Sequence, residues 1–142
     1  MTIRVGLRNL SSRQWSFLVL LFVSVFVCYS PVLVNSYAFT DDYSLFHNAL
    51  LRVFPKYQII ASGRPTYAFL LEHALTSLKG IGDLRYIRFI GVLGIALLAG
   101  AIAYSFRKAG WNKWQSVLAA FLICTLPSFQ VVAAWAATAF FS

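Results

Sequence analysis

A chain of 142 residues that is 60% apolar and only 11% charged cannot make a water-soluble surface, because a soluble domain is about 45–50% apolar and about 25% charged. Its net charge of +8 comes from basic residues scattered among long apolar runs, which argues for a membrane topology signal and against a nucleic-acid partner. The expected class is an all-α integral membrane protein, a helical module that needs no water-excluding core of the usual kind.

In chain order, the first apolar run, residues 15–34, has the length of about 20 residues needed to cross a bilayer. It reads as a signal anchor: cleaved leaders have apolar regions of about 7–15 residues, and Val34-Asn35-Ser36 is a poor cleavage site. Residues 35–88 form a polar loop with two amphipathic surface helices. In the first, from Asp42 to Phe54, Leu45, Phe46, Ala49, Leu50, Val53 and Phe54 recur at helical spacing, with Ser44, His47, Asn48 and Arg52 opposite. The second begins at Pro65 and is closed by Gly80, with Ala68, Leu71, Leu75 and Leu78 against Glu72, His73, Thr76 and Ser77.

A second span is expected over 89–106, where Gly91, Gly94, Ala96, Ala99, Gly100 and Ala103 give one side of the helix small residues that let a neighbouring backbone approach. A third runs over 112–129, with Pro127 ending a helix near Leu126, and a fourth begins at about 131. The chain stops within apolar sequence at Phe140-Phe141-Ser142. That reads as an incomplete single transmembrane module, the front of a longer protein or a truncated copy. Cys28 and Cys124 fall inside apolar runs and read as packing residues, without metal or disulfide spacing. Internal repeats and low-complexity linkers are absent from the sequence.

Orientation follows from charge. Arg4, Arg8 and Arg13 precede the first span, and Arg107, Lys108 and Lys113 fill a short acid-free loop between the second and third, so both segments are expected in the cytoplasm. The loop 35–88 carries all four acids, Asp41, Asp42, Glu72 and Asp83, and is expected outside. Asp41-Asp42, just beyond the first span, is its sharpest feature, since adjacent carboxylates at a membrane boundary are costly unless hydrated or used. Helix capping is the competing reading, and a cap requires only one Asp.

Phe39-Thr40-Asp41-Asp42-Tyr43 after an opening span, Gly63-Arg64-Pro65 before a helix, and Leu126-Pro127-Ser128-Phe129-Gln130 closing a later span together resemble the N-terminal part of the bacterial and phage Gtr-type O-antigen glucosyltransferases. The resemblance extends over 15–142. It implies a polytopic helical bundle of GT-C type in the bacterial cytoplasmic membrane, transferring a sugar, glucose by analogy, from a polyprenyl phosphate to an acceptor glycan such as lipopolysaccharide O-antigen. A lipid-linked-sugar synthase and flippase would be its functional partners. It also places the catalytic acid at Asp41 or Asp42, without deciding between them. Such enzymes run to several hundred residues with many spans, more than this chain contains.

The residues suit that chemistry. A carboxylate can take the proton of an acceptor hydroxyl and favour an oxocarbenium-like centre. The planar fork of Arg64 matches the oxygens of a leaving lipid phosphate. Tyr43, His47, Arg52 and Arg88 complete the candidate substrate-binding set, with Lys56 and Arg85 as further cations; for these basic residues the competing role is contact with lipid headgroups, and for His47 and His73 an ordinary polar face. No His/Cys/carboxylate cluster has metal spacing, so no metal site or cofactor is assigned beyond the lipid-linked donor, and metal dependence stays open. Trp15, Trp111 and Trp114 read as anchors at span ends. The alternative function is a non-catalytic membrane protein, such as a flippase or transporter component or an assembly subunit. A transporter would place charged groups inside its spans, and none is expected there.

Overall fold

The computed structural model describes residues 12–35 and 38–135, with side chains from Ser16 onward. Arg4, Arg8, the side chains of Arg13 and Trp15, and most of the expected fourth span lie outside the described residues. All regular structure among the described residues is helical.

Helix α1 (Ser12–Val34) and helix α5 (Leu84–Lys108) are long apolar helices, spanning roughly 34 and 37 Å at 1.5 Å per residue, enough to cross a hydrocarbon core of about 30 Å. They pack antiparallel, as Phe26 meets Phe89 with ring centroids 5.6 Å apart and Phe22 lies against Gly100 further along. The small-residue side of α5 makes this contact possible. Ala96, Ala99 and Ala103 are buried in one cluster with Leu21, Val25 and Tyr29 of α1. The helix starts five residues before the expected span, so Arg88 belongs to it.

Helix α6 (Lys113–Cys124) runs parallel to α1, with Phe17 edge-on to Trp114 at one end and Tyr29 bonded to Cys124 at the other. Its start is fixed by a capping box in which Asn112 and Gln115 satisfy each other's backbone N–H groups. At 12 residues it covers only about 18 Å. It continues through a 60° bend into α7 (Pro127–Ala134). The expected order is corrected here: the first helix ends at Cys124, and Pro127 opens the next one at its first position, where a missing N–H costs nothing. Two helices can therefore cross a membrane, or three if the bent pair counts as one span. Their outer surface is apolar, with Val19, Val23, Val27, Leu97, Leu118 and Leu122 all more than half exposed, which suits lipid better than water.

The polar segment forms a cap at the end of the bundle opposite Lys108 and Lys113. Helix α2 (Thr40–Leu50) and helix α4 (Pro65–Thr76) bury Phe46, Ala49, Leu71 and Leu75 against Leu84 and Ile87 at the start of α5. Between them lies a short helix not expected from the sequence, α3 (Lys56–Ala61), held to α4 by the Lys56–Glu72 salt bridge at 2.6 Å. The first surface helix is shorter than expected. Arg52 adopts φ 59°, and the bonds from Val53 N to Asn48 O and from Arg52 N to Ala49 O close α2 in a Schellman turn, leaving Val53 and Phe54 outside it. The second also stops early, at Thr76, and Gly80 is extended backbone ahead of a 3-10 turn, Ile81–Asp83. Cys124 is buried, but Cys28 is exposed and does not pack.

Candidate functional site

The N-terminal turn of α2 has Phe39 as its cap residue, with no side-chain capping bond. Asp41 and Asp42 are its second and third helical residues, so neither is the cap. About 100° separates successive residues around a helix, and the two carboxylates meet opposite surroundings. Asp42 is 1% exposed and Asp41 is exposed.

Asp42 points into the protein, where its Oδ2 lies 3.8 Å from a terminal guanidinium nitrogen of Arg88, with both side chains buried. That separation is an ion pair, too long for a direct hydrogen bond between those atoms. The Arg88 Nε–H donates to the carbonyl of Ala134 at 3.0 Å. Asp42, a catalytic candidate from the sequence, and Arg88, a substrate-binding one, thus face each other in a pair enclosed between α2, α5 and the end of α7. Arg88 lies one residue before the expected span 89–106 and within the observed α5.

Asp41 opens onto two concavities. The larger, about 630 Å³, is bounded by α2, α3 and α4 and includes Ser44, Gln58, Arg64, Tyr67 and Trp135. The smaller, about 370 Å³, is lined by Phe39, Thr40, Val131 and Trp135 together with Asp41. Asp41 and Trp135 thus belong to both. Trp135 is brought there by the bend at Pro127, and its ring lies 6.3 Å from that of Phe39. Of the four acids, Asp42 pairs with Arg88, Glu72 with Lys56, and Asp83 accepts from Lys79 N at 3.0 Å. Asp41 makes no hydrogen bond or ion pair among the described residues.

Arg64 occupies the junction between α3 and α4. Gly63 has φ +84°, a left-handed conformation that favours glycine, and Pro65 starts α4 directly after Arg64. The guanidinium is therefore presented from a tight turn. Tyr67, one turn later, is half-buried, and burial holds its phenol above the ordinary value; the Arg64 guanidinium pulls the other way and the Asp42 carboxylate adds to the rise. Tyr67 thus brings a phenol to the lining of the larger concavity.

The remaining sequence candidates do not join these residues. Tyr43 is 55% exposed, and His47 and Arg52 are exposed too; none lines either concavity. Lys56 is engaged by Glu72 and by the Phe69 ring, 4.0 Å away, and Arg85 lies over Tyr86 on the surface. Sequence reasoning missed Tyr67, Gln58 and Trp135. Among the described residues no group of three or more His, Cys, Asp or Glu is placed to hold a metal. Comparison with models of known families, with characterised proteins and with solved structures finds no match to this chain.

Proposed function

We propose that the chain is a membrane glycosyltransferase of GT-C type, or the N-terminal portion of one, that moves a sugar from a polyprenyl phosphate to a surface glycan. The observation that carries this reading is Asp41, an exposed carboxylate shared by a concavity of mixed lining, in which Ser44, Gln58 and Arg64 stand beside Leu45, Pro55 and Ile59, and a more apolar one walled by Phe39, Val131 and Trp135, at one end of membrane-length helices. A lipid-linked sugar phosphate has a matching division into a polar head and an apolar chain.

In this reading the acceptor hydroxyl attacks the anomeric carbon as the bond from that carbon to the phosphate oxygen breaks. Asp41 takes the hydroxyl proton, and the electron pair leaves with the polyprenyl phosphate, whose charge Arg64 meets. Attack opposite the leaving group inverts the anomeric centre. Tyr67 and Gln58 supply hydrogen bonds to the sugar. The cap faces the outside of a bacterial cytoplasmic membrane, and the Arg107–Lys113 end faces the cytoplasm. A transporter is less well supported: the buried Arg88–Asp42 pair lies near the start of α5, about 6 Å along it, not at mid-helix where transport sites are built.

The test is transfer of labelled glucose from polyprenyl-phosphate glucose to lipopolysaccharide, in membranes containing the intact protein. Asp41→Asn should insert normally and slow transfer by about 10²–10⁴. Absence of transfer by the parent protein, or parental rates in Asp41→Asn, would refute the proposal.

A further inference from the structure

Asp42 and Arg88 line neither concavity, yet each is bonded to the neighbourhood of a residue that lines both. Asp42 follows Asp41 in the first turn of α2. Ala134, whose carbonyl accepts from Arg88 Nε, is the last residue of α7 and precedes Trp135. One guanidinium thus faces the turn that carries Asp41 with a terminal nitrogen and holds the end of α7, which carries Trp135, with Nε. Asp41 and Trp135 are far apart in the sequence, and α5 supplies the side chain between them.

We infer, on the reading of Asp41 as the reacting carboxylate, that Asp42 and Arg88 are positioning residues that set Asp41 and Trp135 at a fixed separation across the mouth shared by the two concavities. The planar guanidinium is suited to this because its nitrogens diverge at fixed angles, so it relates two backbones in direction as well as distance. The carbonyl of Ala134, at the end of α7, accepts from Arg88 Nε. Both charged side chains are buried, and the contact of Arg88 with Ala134 is part-buried.

A pair that served stability alone would be replaceable by neutral side chains of similar size, since buried ion pairs exchanged together for apolar groups are often neutral in stability. A positioning pair would not. The two roles separate in the paired variant Asp42→Asn/Arg88→Met, with Arg88→Lys as a milder change that keeps the charge and loses the fork. Each is made in a protein whose Trp15, Trp111 and Trp114 are Phe, leaving Trp135 as the only tryptophan. In lipid nanodiscs, helicity and melting report folding, acrylamide quenching reports Trp135, and kcat and KM are measured with polyprenyl-phosphate glucose. Both variants should remain folded while Trp135 becomes easier to quench. The paired variant should lose about 10²-fold in kcat, the scale of an ångström-sized misplacement, with a far smaller change in KM. A folded paired variant with parental Trp135 quenching would overturn the inference, as would altered quenching with parental kcat. If the parent transfers no sugar, the glycosyltransferase reading fails by itself, and the Trp135 measurement still decides whether the pair sets the mouth.

Discussion

The first turn of α2 and the first turns of α5 carry the same signal, a charged residue at an apolar register position. Counted at helical spacing, Asp42 falls with Leu45, Phe46 and Ala49, and Arg88 falls with Leu84, Gly91, Val92 and Ile95, while Asp41 falls with Ser44 and Asn48. The burial of one aspartate and the exposure of the other were therefore legible in the sequence. The resemblance to the Gtr-type enzymes does not choose between the two, and the helix expected from Asp42 starts at Thr40. What periodicity could not give was the partner, since pairing Asp42 with Arg88 needs the fold of the 45 residues between them. Arg64 stands out in the sequence for a local reason, its place between Gly63, which is left-handed, and Pro65, which starts a helix. If it holds the donor phosphate through its fork, Arg64→Lys keeps the charge but loses bidentate geometry, and the KM for polyprenyl-phosphate glucose should rise while folding is unaffected. Parental KM in that variant would take Arg64 out of the donor site.

At the scale of elements, the small-residue side of α5 and the apolar faces of α2 and α4 were correctly read, because each is a periodic pattern with one buried side. Helix ends were not. The closure of α2 at Arg52 uses a residue seldom found in the left-handed region, and the bend between α6 and α7 begins three residues before the proline that appeared to cause it. That bend interrupts the backbone ladder in an apolar setting, where every freed carbonyl requires a donor. Leu126 N reaches Ile123 O at 3.2 Å, the Gln130 amide donates to Thr125 O at 3.0 Å, and the Tyr29 hydroxyl donates to Cys124 O at 2.6 Å. The last crosses from α1 and ties the bend to the bundle. Tyr29→Phe removes only that hydroxyl and leaves a buried carbonyl short of a donor, which should cost about 1–3 kcal/mol. Denaturant unfolding in detergent checks this, and an unchanged midpoint would mean the bend is held elsewhere. The position of Trp135 depends on the same bend, which is why nothing local in the sequence marked it.

For the whole molecule, the division of charge between the two ends decides which way the protein lies in a membrane. The junction of α5 and α6 has Arg107 and Lys108 in the last turn of α5 and Lys113 at the start of α6, without an acid; Lys108 sits over the Tyr104 ring at 5.2 Å and Lys113 over Phe17 at 4.6 Å. Aromatic contact of this kind keeps a cation at the end of an apolar helix without a counter-carboxylate. At the opposite end two of the six basic residues of the segment 35–88 are paired with acids, Lys56 with Glu72 and Arg88 with Asp42. Short basic loops resist translocation, whereas acids contribute little, so the loop of residues 109–112 should remain in the cytoplasm and the α2–α4 cap should be outside. Single cysteines at Ala109 and at Tyr57, which is 84% exposed, can be tested with an impermeant maleimide in intact cells. Cys28 must first be replaced because it is exposed on α1, and Cys124 with it. Tyr57→Cys should label in intact cells and Ala109→Cys only after permeabilisation. The reverse pattern would put Asp41 and Arg64 on the cytoplasmic side, where a donor carried to the outer leaflet could not reach them, and the proposed reaction would fail on geometry before any rate was measured.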